Sequence, residues 1–299
     1  MFGAVVAPYV QVVQEPKITF DLEKVQQVYD DYVVNCHAGL TMVMGHPFDD
    51  AEFREYIRQE QNAIKAVFRS YGLEDLLILY DVDYQIHATL IELANQHDNK
   101  KTNQQFLNEN ELSISGKTKK MMNINYSVQW IRKTQPFEVE LGPDVLSEEH
   151  REETLRITDS GQIVMKGRAK DRKLLAEIRA EFEKEAGVIH KYGKDDDEFF
   201  FVIGYLKPDL RLNDRQFRAE LEKCLDARRP NIQLALKVDS VKVIMYQNYS
   251  LDRSACLWES KEYKLLQEPE LPQKNLIDSV MQVIKEQKHL IKQQEQVAV

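Results

Sequence analysis

The sequence predicts an α+β fold in which a strand–helix–strand unit occurs twice, giving two lobes of antiparallel sheet flanked by helices around a central groove. Three observations carry this expectation. Runs rich in β-branched and aromatic residues mark strands at Tyr84 to Leu93, which no Gly or Pro interrupts, and at Phe199 to Leu206. Segments with apolar residues at helical spacing precede both runs. Each helix is in turn preceded by a shorter strand-like run, so strand, helix and strand recur in the same order.

In the first unit, Gly39 to Gly45 (GLTMVMG) reads as a strand, and Asp49 followed by Glu52 resembles a capping box that opens a helix. Phe53, Ile57, Ile64 and Phe68 share one face of that helix, which stops near Gly72. The Tyr84 strand follows, and its alternation puts His87 and Thr89 on one face with Ile86, Ala88 and Leu90 on the other. In the second unit the strand is Gln162 to Gly167. The helix spans 172–186 with Leu174, Leu175, Ile178 and Phe182 on one face, and Gly187 ends it. A polar insertion from Lys191 to Glu198 leads into the strand Phe199 to Leu206.

Between the units, 97–120 is polar and suits a surface loop. Val128 to Ile131 and Phe137 to Leu141 read as strands, and the acidic run Ser147 to Glu153 as a solvated loop. After the second unit, Asn213 with Gln216 opens a helix carrying Phe217, Leu221 and Leu225; Val238 to Gln247 and Ala255 to Leu265 close the body as two strands. Residues 1–38 form an N-terminal extension that packs on the body through Leu22, Val25, Val28 and Tyr29. The main domain is expected over 39–268, its first lobe over about 39–125 and its second over about 126–268. Pro269 and Pro272 then separate an amphipathic C-terminal helix within 269–299, which either packs back on the domain or binds a partner helix.

Composition narrows the function. With 299 residues and 43% hydrophobic content the chain can bury a large core, while a net charge of -9 opposes a bulk phosphate-binding surface, so any nucleic-acid contact should be local. Cys36, Cys224 and Cys256 are odd in number and far apart, which indicates neither a disulfide framework nor a zinc site and points to a reducing, cytoplasmic setting. The apolar opening has no basic residue and meets Pro8 too early for a signal peptide, and no run approaches the roughly 20 apolar residues of a membrane span. No Gly-rich phosphate loop and no metal-ligand spacing appears, so no cofactor and no metal are expected.

The chemistry lies in His87-Ala88-Thr89, which sets an imidazole beside a hydroxyl on one strand face; the same pair also suits a histidine satisfied within a sheet. His87-Ala88-Thr89-Leu90 recurs in order with Phe137 to Gly142 (FEVELG), Gly204-Tyr205-Leu206-Lys207 and a closing Glu262-Tyr263-Lys264-Leu265. In that order, from about Gly39 to Leu266, the chain resembles the 2H phosphoesterase superfamily, which includes RNA 2′,3′-cyclic phosphodiesterase and RNA ligase-like proteins. The resemblance implies a bilobal protein with a groove flanked by two His-x-Ser/Thr strands. One histidine acts as base and the other as acid on a phosphodiester, the hydroxyls hold the phosphate, and no metal is needed. It assigns catalytic roles to His87 and Thr89.

The second motif departs from that pattern. Aligning Gly204 to Lys207 with the family's strand ending puts Phe200 at the second histidine and Val202 at the second hydroxyl, and neither side chain moves a proton or binds phosphate. His190 is the nearest replacement and would need an unusual loop path; His46 and His97 read as surface residues. Arg168, Lys170, Arg172 and Lys173 form a possible anion-binding cluster, as do Lys117, Lys119 and Lys120. The expectation is a degenerate 2H-like protein that binds a nucleotide, an RNA end or a protein partner. The alternative is an active cyclic phosphodiesterase with His87 as its family-type histidine, and a third is an interaction protein working through its C-terminal helix.

Overall fold

The structure, a computed structural model, describes residues 15–34, 39–95, 130, 134–186, 188, 190, 197–259 and 262–265. The expected C-terminal helix, His97 and the lysines at 117, 119 and 120 lie outside these residues.

The described strands are β1 (Gly39–Gly45), β2 (Leu77–Leu79), β3 (His87–Asn95), β4 (Phe137–Leu141), β5 (Leu155–Ile157), β6 (Gln162–Ala169), β7 (Glu198–Leu206), β8 (Leu234–Val238), β9 (Ser240–Tyr246), β10 (Cys256–Glu259) and β11 (Tyr263–Lys264). They join one mixed assembly with helices, in which the sheet runs β10-β9-β1-β3-β7-β6-β4-β8 and every pairing is antiparallel. β2 adds to β7, β5 to β6 and β11 to β9. The α+β class therefore holds.

The helices form where the spacing of apolar residues requires them. α1 (Leu22–Tyr29) begins at Asp21, whose carboxylate accepts from the Glu23 and Lys24 amides, and it buries Val25. α2 (Ala51–Ser70) is capped by Asp50, one residue after the expected cap, and buries Phe53, Ile57, Ile64 and Phe68. Gly72, at φ 68, turns the chain out of α2 where a side chain would be strained. α3 (Leu174–Ala186) buries Leu175, Ile178 and Phe182; α4 (Arg215–Arg228) is capped by Asp214 and buries Phe217, Leu221 and Leu225. Phe68 and Phe217 meet edge to face at 4.9 Å, and Arg228 grips the buried carboxylate of Glu60, which together dock α4 on α2.

The centre of the sheet places the site. β2 pairs with the far end of β7, with Leu79 opposite Gly204; a Cβ on Gly204 would come within 2.6 Å of the Ile78 carbonyl, so the close approach needs glycine. The amide side chain of Gln61 on α2 donates to the carbonyls of Tyr80 and Ile203 at 2.8 and 2.9 Å and pins this junction. The chain then turns at Asp81–Gln85, where the amides of Tyr84 and Gln85 donate to the Asp81 carbonyl, and re-enters the sheet as β3. β3 meets β7 through the pair Ala88 and Phe201.

Several expectations need correction. The strand expected from Tyr84 starts at His87, because Asp81 captures the preceding amides in a turn. Trp130 is helical, its carbonyl accepting from the Thr134 amide, where a strand was expected. Glu148–Thr154 is a 3-10 helix, and Glu153 within it pairs with buried Lys166, so the acidic run is structural. Val238 to Gln247 divides into the end of β8 and β9, and Ala255 to Leu265 into β10 and β11.

Candidate active site

Antiparallel alternation fixes what β3 and β7 present. Ala88 and Phe201, the paired residues, are fully buried in the core, as is Phe199. The residues on either side therefore point the other way, which sets Val202 across from His87 and Phe200 across from Thr89. All four line a cavity of about 320 Å³. Its wall also includes Thr41, Tyr32, Tyr80, Tyr246, Tyr249, Gln162, Arg156, Arg179, Glu92, Glu198 and His190.

His87 is half-buried and its Nδ1 donates to the Gln85 carbonyl at 2.6 Å, which assigns the proton to Nδ1 and leaves the Nε2 lone pair. Gln85 is itself held: its Oε1 accepts from the Asp81 amide at 2.7 Å and its Nε2 donates to the Ser250 carbonyl at 3.0 Å. Burial, with the nearby His46 imidazole adding to it, pushes the pKa of His87 down to about 4 against the favourable bond to Gln85. At neutral pH the ring is an uncharged acceptor that cannot supply a proton. Tyr80 adds a buried hydroxyl without a hydrogen-bond partner to the wall, and burial raises its pKa well above the ordinary phenol range.

The wall carries aromatic faces and cations that the sequence reading did not place there. Tyr32, from the N-terminal extension, accepts from the Gln162 amide at 2.8 Å and packs against Tyr205 and Tyr249. Arg179 is a buried guanidinium on α3. Phe200 lies under the ammonium of Lys166 at 4.8 Å. Lys166 in turn donates to Glu198 and Glu153, and Arg168 to Glu198 at 3.2 Å.

The residues expected from the sequence are distributed as follows. His87, Thr89, Phe200 and Val202 share the cavity. His190, the nearest replacement that the sequence offered for the second histidine, is buried and reaches the same wall. His46, expected at the surface, is fully buried and stacks edge-on against His87 at 5.7 Å between ring centres. Of the expected anion-binding cluster, Arg168, Lys170 and Arg172 engage Glu198, Glu138 and Glu140, Lys173 is exposed, and none of the four lines the cavity.

His46 belongs to a second group beside His87. Its Nε2 donates to the Leu251 carbonyl at 3.0 Å, and its Nδ1 lies 3.6 Å from Glu259. Both His46, at φ 71, and Leu251, at φ 48, adopt the left-handed region, which costs on the order of 1–3 kcal/mol for a residue with a side chain. Burial opposes ionisation of Glu259, but the His46 ring and the Tyr84 hydroxyl outweigh it and hold the carboxyl down to about 2. Burial pushes the Cys256 thiol up to about 12.

The strand order places His87 and Thr89 on β3 next to Phe200 and Val202 on β7. No known protein family and no curated protein matches the sequence. Similar solved structures include a conserved protein of unknown function, ATU0111 from Agrobacterium tumefaciens str. C58, at 14% identity over 85% of this chain and 94% of that one with a TM-score of 0.47. Usb1 from Kluyveromyces marxianus, solved with uridine monophosphate, is similar at 10% identity over 77% of this chain and 98% of that one with a TM-score of 0.39.

Proposed function

We propose that this protein is a degenerate 2H phosphoesterase-like protein whose cavity binds a phosphate-containing small ligand with little or no turnover. The observation that carries the reading is that His87 and Thr89 open into a cavity whose opposite strand presents Val202 and Phe200. Half of an acid–base pair is retained, and apolar groups stand where its partner would be.

The chemistry supports binding over catalysis. A base is most effective with a pKa near the working pH, and His87, pushed down to about 4, is a weak one. A bound phosphate would gain from the buried guanidinium of Arg179, from Arg156 and from the hydroxyls of Thr89, Thr41 and Tyr80, while Tyr32, Tyr249 and Phe200 offer flat apolar surface. A cavity of about 320 Å³ matches a small ligand better than a protein segment.

A panel of 2′,3′-cyclic nucleotides, linear 2′-5′ oligonucleotides and ADP-ribose cyclic phosphate, assayed for binding and turnover, tests the reading. Binding that Arg179→Gln and His87→Ala weaken, with turnover near background, is the expected result. Hydrolysis well above background by the unmodified protein, abolished by His87→Ala, would overturn it.

One observation favours a second reading, an active phosphodiesterase: His190 lines the same cavity and could take the place of the missing acid. On that reading His190→Ala removes turnover as thoroughly as His87→Ala, and the rate falls on both sides of an optimum pH.

A further inference from the structure

His46 is fully buried, and the atoms around its ring decide its charge. Gly45, at the end of β1, pairs with His87, and the His46 amide donates to the Ile86 carbonyl at 3.0 Å. The backbone thus sets the two histidines side by side, 5.7 Å apart between ring centres. Nε2 of His46 is 3.0 Å from the Leu251 carbonyl, and Nδ1 is 3.6 Å from Oε1 of Glu259, at ion-pair distance. Both neighbours are acceptors. A neutral ring carries one proton, so either tautomer would turn a buried nitrogen lone pair towards an oxygen. Only a ring with both protons meets both oxygens with a donor.

The groups packed around the ring fit a cation there. Tyr84 donates to Oε1 of Glu259, and its ring lies edge-on to His46 at 4.6 Å between centres. Lys242 on β9 is 3.5 Å from Oε2 and donates to the His46 carbonyl at 2.6 Å, so the carboxylate stays ionised with Oε1 turned to the imidazole. The Cys256 thiol, 3.9 Å from Nε2 and 3.5 Å from the same Leu251 carbonyl, brings no charge, because burial pushes it up to about 12. Arg253 sits over the Tyr84 ring at 4.4 Å, and Asp252 is turned into its own loop, where it accepts from the Ser254 and Ala255 amides. Among the described residues Glu259 is the anion that balances His46.

We propose that His46 is a positioning residue for the cavity, a buried imidazolium held by Glu259, whose charge keeps the neighbouring His87 ring neutral and its Nε2 an acceptor. The inference rests on His87 facing the ligand, as in the function proposed above. Burial is the larger of the two causes that hold His87 down, and His46 is the second. His46 is the one that substitution can remove without touching the cavity wall, which His46 does not line. A ligand suited to such a wall brings its own hydrogen to Nε2, as a hydroxyl or a phosphate that retains a proton does.

Histidine ¹⁵N correlation spectra of the full-length protein, assigned with His46→Asn and His87→Ala, read both rings without any ligand. At neutral pH His46 should show two protonated nitrogens, and His87 one protonated and one bare. Asn is among the side chains that best tolerate the left-handed φ of 71 at position 46, so His46→Asn removes the charge with little strain. It should raise the pH at which His87 titrates by about 1–2 units, the effect of one charge at this distance for an effective dielectric of about 20 or somewhat more. Glu259→Gln separates charge from structure. If Glu259 holds the second proton on His46, this variant leaves His46 neutral and the His87 midpoint rises; losing an anion beside an already neutral His46 would leave the midpoint in place or lower it. A rise in both variants is the expected result. A neutral His46 ring in the unmodified protein, or a His87 midpoint that does not rise in Glu259→Gln, overturns the proposal, and this second criterion decides even if His46→Asn fails to fold. ADP-ribose cyclic phosphate added to the same samples tests the cavity separately: no binding with the histidine result intact counts against the phosphate-binding reading alone.

Discussion

Ala88 on β3 pairs with Phe201 on β7, and through that pairing Val202 stands across from His87. The core-facing pair holds the two strands together, while the residues flanking it on each strand open into the cavity. On the function proposed above, Phe200 and Val202 occupy the positions from which a second acid–base pair would act.

Phe200→His combined with Val202→Thr should raise turnover of 2′,3′-cyclic nucleotides by about 10²-fold, the lower end of what one acid–base group contributes. A stability loss of roughly 1–3 kcal/mol should accompany it, since polar groups replace apolar ones in a half-buried wall. Initial rates and urea denaturation of the same preparation check both parts. Unchanged rates in a folded double variant would show that more than these two side chains is missing.

Phe201→Ala and Phe200→Ala should differ sharply although the residues are neighbours. Phe201 is fully buried against Phe48 and Phe53, so its loss should cost about 3–5 kcal/mol. Phe200 borders the cavity, and its loss should cost clearly less. Comparison of the two denaturation midpoints decides; equal costs would mean that the strand faces are misassigned.

The low pKa of His87 makes stability depend on pH in a definite direction. Its folded value of about 4 lies below the ordinary histidine value of 6.5, so the unfolded chain binds the proton more readily. Stability should be full above about pH 6.5 and decline as pH falls towards 4, by at most about 3 kcal/mol, and by less to the extent that the cavity admits water. In His87→Phe this part of the pH dependence should vanish, as followed by urea denaturation between these limits.

Glu60 and Arg228 should respond asymmetrically to substitution. The carboxylate of Glu60 is almost completely buried, whereas Arg228 is partly open to solvent. Arg228→Met strands a buried charge and should cost about 3 kcal/mol or more, while Glu60→Gln keeps a hydrogen-bonding partner and should cost less. Thermal unfolding of the two variants checks the order.

Much of the site's local pattern was legible in the sequence. Period-two alternation on β3 and β7 is a property of neighbouring residues, so the shared face of His87 with Thr89, and of Phe200 with Val202, could be read without knowing any strand partner. The buried stripes of α2 and α4 follow in the same way from 3.6-residue spacing. Strand ends were less legible: Tyr84 has strand-like neighbours, but the Asp81 carbonyl captures its amide in a turn.

Only the tertiary structure decided which distant elements meet. β9 and β10, from the C-terminal part of the chain, extend the sheet beside β1, and that pairing brings Cys256 and Glu259 to His46. Helical spacing on α3 does not reveal that Arg179 reaches the cavity, and a histidine ten residues before Phe200 carries no local mark of where its loop leads. The physical reason is one of range. Alternation and helical spacing are written in the stereochemistry of adjacent residues, whereas contacts between residues far apart in sequence depend on how all the buried faces close around one core.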